Sequence, residues 1–208
     1  WGESEHFGCD YEKNGCFIKP DDVVVDIGAN IGMFSRRAIE RGAKKVYAYE
    51  PSNDAFKCLL LNVDASKVES YKASISSHTG FMEMRVTEGS YPMASTDDPR
   101  ELLSIENVPC YTMDDLMNFD VLPSKIDFLK IDAEGGEIGI FEGLSAENLL
   151  NVDRIAMETH HNQTDGGEHN RKIAQLLERI TSTFTSHYQL SYKVGEQEYW
   201  VQTITAWR

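Results

Sequence analysis

The sequence is short of positive charge: 20 lysines and arginines stand against 34 aspartates and glutamates, a formal net charge of −14. Binding to DNA or RNA draws its affinity from clustered Lys and Arg, so this balance argues against nucleic acid as the main partner. No apolar run approaches the length of a membrane span, and no signal peptide is visible. Cysteine is scarce. The four present (Cys9, Cys16, Cys58 and Cys110) form no CxxC pair, which reads as buried free thiols in a reducing compartment, with Cys58 set among apolar helix residues. Cys9 and Cys16 are close enough in sequence to pair if oxidised. A cytoplasmic location is the expectation, although the chain opens on Trp1 rather than Met and reads equally as a domain cut from a longer protein. His160, His161 and His169 lack the HExxH order of a zinc site. At 208 residues the chain suits one α/β domain, able to bury about 70% of its unfolded surface.

What is present is concentrated at Val23 to Gly32, VVVDIGANIG. The β-branched run Val23 to Val25 does not alternate, as expected of a parallel strand buried on both faces. From Ile31 the period becomes helical: Ile31, Phe34 and Ala38 share one side, Arg36, Arg37, Glu40 and Arg41 the other, and Gly42 ends the helix. A second strand, Lys45 to Tyr49, closes on Glu50 and Pro51. An acidic residue about 20 positions beyond a glycine turn can accept hydrogen bonds from both hydroxyls of a ribose. The unit therefore predicts a nucleoside site over Gly28, Ala29, Asn30 and Gly32, with ribose on Glu50.

Two absences narrow the nucleoside. A dinucleotide turn needs a third glycine where Met33 stands, and no GK[ST] follows for a phosphate. Asp26, just before the turn, would repel a pyrophosphate but suits a ligand carrying an ammonium and a sulfonium, which favours S-adenosylmethionine over NAD. A purely structural glycine turn is the plain alternative; Glu50 at its matching distance counts against it.

Further along, Ser52 caps a helix with the stripe Phe56, Leu59, Leu60 and Val63, and Val68 to Ile75 reads as a third strand. Gly80 turns into an extra strand, Phe81 to Val86, with Met82 and Met84 in it. Residues from Thr87 to Asn107 are polar and rich in turn formers, predicting a long loop at about 87–108, read as a lid over the substrate or as a disordered insertion. Thr112 and Asp115 resemble a capping box for a helix through Phe119, and Ile126 to Ile131 forms a fourth strand. Asp132 and Glu134 follow it, then Gly135 and Gly136 open a helix containing Ile138 and Phe141. A fifth strand, Arg154 to Met157, ends in Glu158, Thr159, His160 and His161. A helix stripe (Ile173, Leu176, Leu177, Ile180) precedes strands Phe184 to Tyr192 and Tyr199 to Trp207, joined at Gly195. Their aromatics, Tyr188, Tyr192, Tyr199, Trp200 and Trp207, read as packing residues rather than an acceptor site.

DIGANIGMF, VYAYEP, Leu61 with Asn62, and LKIDAEGGE from Leu129 to Glu137 resemble, in this order, the FkbM family of S-adenosylmethionine-dependent methyltransferases. The resemblance covers roughly Pro20 to Leu144; the rest matches only the general class I methyltransferase pattern. It implies an α/β fold with a doubly wound, seven-stranded, mostly parallel sheet, closed by an antiparallel hairpin. It also implies methyl transfer to a hydroxyl oxygen, the acceptor read as a sugar or small-molecule metabolite. Residues 1–19 are then a lead-in and 20–208 the methyltransferase domain. Enzymes that methylate exocyclic or glutamine nitrogens usually carry an NPPY-like tetrapeptide where this chain has IDAEG, a departure in favour of oxygen.

In such a sheet ligands lie beyond the carboxyl ends of the strands, so Asp132, Glu134, Glu158 and His160 should share a cleft with Asp26 and Glu50, and adenine should lie near Ser74, Ile75 and the residues after Asp132. A hydroxyl acceptor needs a base and close placement at the methyl. His160 suits by intrinsic pKa, and Asp132 or Glu134 if desolvated. The carboxylates could alternatively hold a divalent cation that acidifies the hydroxyl, or the histidines could serve only the strand end. Two other functions stay open: an NAD-linked oxidoreductase with a degenerate turn, and a nucleoside-binding module without transfer. The oligomeric state is not written in any motif.

Overall fold

A computed structural model describes residues 11–87, 102–161, 167–194 and 199–208, with the side chains at 87, 102–103, 160–161, 185–194 and 199–202 outside that description. Strand β1 (Val23–Ile27), helix α1 (Met33–Glu40), β2 (Lys45–Tyr49), α2 (Asn53–Asn62) and β3 (Val68–Tyr71) form the first half. After β4 (Ser74–Ile75), β5 (Gly80–Thr87), β6 (Leu102–Tyr111) and α3 (Met113–Asn118), the chain re-enters the main sheet at β7 (Phe128–Ile131). Helices α4 (Glu137–Glu142) and α5 (Ala146–Leu149), β8 (Arg154–His161), α6 (Glu168–Thr183), β9 (Thr185–Val194) and β10 (Tyr199–Trp207) complete it.

The main sheet has the order β3-β2-β1-β7-β8-β10-β9. Its pairs from β3 to β8 are parallel, and the β9–β10 hairpin adds antiparallel to β8. This is the expected α/β architecture, with the order reversing between β1 and β7. Both faces are covered. Val25, Ile27, Leu129, Ile131 and Ile155 pack on one side with α4 and α6 residues such as Ile140 and Ile180. Val24, Val46, Phe128 and Ala156 pack on the other with Phe34, Ala38 and Leu59.

Three expectations are corrected. The third strand does not run from Val68 to Ile75: the Ala73 amide donates to the Tyr71 carbonyl at 3.0 Å, a tight turn that moves the chain off the main sheet into a second, three-stranded one ordered β4-β6-β5. The polar stretch read as loop up to Asn107 is already strand from Leu102, paired antiparallel with β5. Its composition misled because Ser104, Ile105 and Asn107 face solvent and only Val108 and Cys110 are fully buried there. The lid reading for 88–101 lies outside the described residues, as do Cys9 and the turn at Gly195. The α2 stripe is narrower than predicted: Leu59 is fully buried, but Leu60 is 53% exposed and Cys58 is an exposed free thiol.

Smaller expectations hold. Ser52 Oγ caps α2 by accepting from the Ala55 amide, and Thr112 Oγ1 caps α3 by accepting from the Asp115 amide at 3.0 Å. Strand β8 runs four residues past Met157 because its pairing with β10 continues to His161 opposite Trp200.

Residues 11–22, ahead of β1, are part of the packed body. Asn14 and Gly15 both have positive φ, 53° and 93°, and Cys16 N bonds Lys13 O at 2.8 Å, a primed turn of the kind Asn-Gly favours. Cys16 is completely buried beside the carbonyls of Ile155 and Ala206. Burial pushes its thiol up to about 12, so it stays protonated and inert. Glu12, also buried, accepts from Ile18 N and pairs with Arg37 at 2.7 Å and Arg41 at 3.3 Å.

Candidate active site

The glycine turn is clamped between two strands. Gly28 N and Ala29 N both donate to the Tyr49 carbonyl at 3.0 Å, which ties the turn to the end of β2. Gly28 has φ 72°, and a Cβ on it would overlap the Asp132 carbonyl oxygen; only glycine lets β1 and β7 end so close together. Gly32, at φ 87°, has a different task. A Cβ there would meet the Leu59 and Val63 side chains, so Gly32 supplies the close packing of α1 on α2.

Glu50 stands at the mouth of the turn, 7% exposed. Its Oε2 accepts from Asn30 N and its Oε1 from Ser52 N, each at 2.8 Å, so the carboxylate is fixed and each oxygen keeps a free lone pair. Desolvation raises its pKa above the ordinary glutamate value, while the Ser52 and Asn30 amides and Lys130 pull the other way. Glu50 lines a cavity together with Gly28, Asn30, Pro51, Ser74 and Ile75. The opposite wall is Asp132, Ala133 and Glu134, and the small sheet closes the end with Met82, Met84 and Val108. Glu134 holds φ 48°, a left-handed conformation uncommon outside glycine. Three buried oxygens on lining residues, Asn30 Oδ1, Asp132 Oδ1 and the Tyr49 hydroxyl, have no hydrogen-bond partner among the described residues.

Asp26, Ala29 and Gly32 do not line the cavity. Asp26 is completely buried, accepting from Ser35 Oγ at 2.6 Å and paired with Lys130 Nζ at 3.1 Å. The register explains the pair: Asp26 lies opposite Lys130 across the β1–β7 ladder, with Ala48 and Ala156 as the small neighbours on either side. Lys130 also donates to Gly28 O at 2.7 Å and stands 3.9 Å from Asp132 Oδ2. Burial opposes its charge, but Asp26, Asp132 and Glu158 outweigh that and raise its pKa. The negative charge expected at the turn from Asp26 is thus neutralised inside the fold. Sequence reasoning missed Lys130, although a lysine inside the apolar strand IDFLKI was a visible signal.

Of the expected catalytic groups, Asp132 and Glu134 follow β7 on the cavity wall, while Glu158 lies within β8 and is not among the lining residues. Glu158 is half-buried. Its neighbour along the strand, His160, has a side chain outside the described residues. Tyr11, which no motif signalled, donates from its hydroxyl to Asp132 Oδ2 at 2.9 Å. Among the described residues no three of His, Cys, Asp and Glu gather so as to hold a metal ion, and the divalent cation considered from the sequence has no donor set there.

The fold is that of the class I methyltransferases. A family model described as the methyltransferase FkbM domain matches residues 26–184, and the chain belongs to that family of methyltransferases. It is 27% identical over 183 residues to the 31-O-demethyl-FK506 methyltransferase FkbM of Streptomyces tacrolimicus, covering 72% of this chain and 70% of that one. It is 26% identical over 210 residues to the AMB antimetabolite synthetase AmbE of Pseudomonas aeruginosa, covering 81% of this chain but only 10% of AmbE. The methyltransferase FkbM of Methylobacillus flagellatus KT superposes with a TM-score of 0.56 at 15% identity, over 90% of this chain and 44% of that one. A putative rRNA-methylase from Clostridium thermocellum has the same fold, with a TM-score of 0.53 at 10% identity over 92% and 90% of the two chains. Among the described residues no helix is long and apolar enough to cross a membrane.

Proposed function

We propose that this domain transfers the methyl group of S-adenosylmethionine to a hydroxyl oxygen of a sugar or small-molecule metabolite. The observation that carries the cofactor is Glu50, pinned by two backbone amides with lone pairs left over for ribose hydroxyls. The unpartnered oxygens of Asn30 and Asp132 fit the same ligand, since its ammonium is a donor and a pyrophosphate would offer none. Ser74, Ile75, Met82, Met84 and Val108 give the flat apolar slot that an adenine needs.

When bound, the cofactor supplies an electrophilic methyl carbon on a sulfonium. The Gly28 turn would admit it, Glu50 would hold its ribose, and Asp132 would hold its ammonium. A base at the β7–β8 corner would take the proton of the acceptor hydroxyl, the new oxygen–carbon bond replacing the methyl–sulfur bond, whose electron pair would leave with the sulfur as a neutral thioether. By its intrinsic pKa His160, two positions beyond Glu158 in β8, is our candidate for that base, with Asp132, Glu134 and Glu158 as the carboxylate alternatives. The oxygen acceptor is supported by the absent NPPY-like tetrapeptide and by the relative acting on a 31-O-demethyl compound. The acidic composition weighs against an RNA acceptor, although one structural neighbour is an rRNA-methylase by name.

Melting in the presence of S-adenosylmethionine or NAD separates this reading from a dehydrogenase. At a hundred times its dissociation constant the true ligand adds about 2.7 kcal/mol, a rise of roughly 5–10 °C for a domain of this size. A rise with NAD alone would refute the assignment. Labelled-methyl transfer to a panel of hydroxyl compounds separates an enzyme from a binding module. His160→Ala should retain cofactor binding and lose transfer; normal turnover would remove the histidine from its role.

A further inference from the structure

The buried phenol of Tyr11 is unexplained by anything above. It comes from the segment ahead of β1, yet it sits at the centre of the transfer corner, 8% exposed. Its hydroxyl donates to Asp132 Oδ2 at 2.9 Å and is also engaged by the Glu158 carboxylate. Its ring meets Phe34 edge-on at 5.6 Å and lies 5.4 Å from the Lys130 ammonium. Asp132 is therefore held on one oxygen only. Oδ2 takes the phenol and, at 3.9 Å, Lys130, while Oδ1, on a residue of the cavity wall, has no partner among the described residues.

We propose that Tyr11 is a positioning residue for the cofactor's amino-acid end: its hydroxyl fixes the rotation of Asp132 so that the buried, unpartnered Oδ1 is kept as the acceptor for a ligand ammonium. This rests on the S-adenosylmethionine reading. Among the described residues the charged and titratable groups around Asp132 are Tyr11 before β1, Lys130 on β7 and Glu158 on β8, with Asp26 on β1 behind the lysine. None but Tyr11 can lock the carboxylate by a directed O–H bond. Burial first, then the charges of Asp132 and Glu158, keep the phenol protonated far above its usual pKa, so it remains a donor at every working pH. The mount is stiff: the ion pairs of Glu12 with Arg37 and Arg41 and the buried Cys16 hold the segment on either side of the Asn14–Gly15 turn.

Tyr11→Phe tests this, because phenylalanine keeps the ring packing and removes only the hydroxyl. Calorimetry with two probes reads the effect: S-adenosylhomocysteine, which carries the ammonium, and 5′-methylthioadenosine, which shares the nucleoside and sulfur but has no amino-acid portion. The expected result is an affinity about ten-fold weaker for the first probe, as for a lost hydrogen bond to a charged group, and an unchanged affinity for the second. In an Asp132→Ala background the same tyrosine change should have no further effect. Equal affinity of Tyr11→Phe and the native protein for S-adenosylhomocysteine would overturn the proposal. So would an equal loss for both probes, which marks a merely structural tyrosine. Failure of the native protein to bind either probe would instead remove the cofactor reading on which the proposal rests.

Discussion

The corner where β1 meets β7 and the corner where β1 meets β2 each carry a buried carboxylate near the strand ends, and the two carboxylates are spent differently. Asp26 is consumed internally: Ser35 and Lys130 occupy it, and it contributes nothing to the cavity lining. Glu50 is braced by amides but left open on the cavity side. An ion pair in a dry interior is costly to break from one side, whereas an amide-braced carboxylate beside a cavity is an acceptor waiting for donors. The same functional group, a carboxylate, is thus cement in one corner and receptor one strand away.

The sharpest way to break this contrast is Lys130→Ala, which strands Asp26 without a counter-charge. It should cost about 3–5 kcal/mol of folding stability, read as an earlier urea midpoint; a loss below 1 kcal/mol would mean that the pair is not the cement described. Gly28→Ala comes next, since a methyl there collides with the Asp132 carbonyl oxygen. A loss of about 2–4 kcal/mol is expected from overpacking together with a left-handed φ, measured by the same titration. Glu50→Ala should instead leave most of the stability and weaken S-adenosylhomocysteine by about 2–3 kcal/mol, the scale of a hydrogen-bonded charged group. If its melting temperature fell as far as that of Lys130→Ala, the two corners would not differ in kind.

A pH series sharpens the point. Glu50 has a raised pKa, and ribose hydroxyls bind its ionised form, so protonation removes the acceptor. Cofactor affinity should therefore fall on acidification at a pH where a glutamate at the ordinary 4.5 would still be charged, and Glu50→Gln should lose that pH dependence. The smallest effect belongs to neither corner: Thr112→Ala removes the α3 cap and should cost about 1 kcal/mol with cofactor affinity unchanged.

The β2 corner was legible in the sequence because its parts are adjacent and chemically loud: a β-branched strand, two glycines and an acid at ribose distance. The β7 corner was legible only by halves. Asp132 and Glu134 announce themselves after an apolar strand, but Lys130 is recognisable as Asp26's partner only once the register pairs them, and Tyr11 reaches Asp132 from 121 positions away. The internal pairing of Asp26 is hidden for the same reason, since a charge before a turn looks available until its neighbour across the ladder is known. Strand β6 was taken for loop because a half-exposed strand of a small sheet carries loop-like polarity. The stiff turn of Asn14 and Gly15 was in plain view, but nothing local says what it packs against.

The account stands or falls on whether the Glu50-lined cavity binds an adenosyl ligand. Isothermal calorimetry with S-adenosylhomocysteine on folded protein should give saturable one-to-one binding that Glu50→Ala largely abolishes. Absence of heat with the native protein, or undiminished binding in the variant, would contradict it.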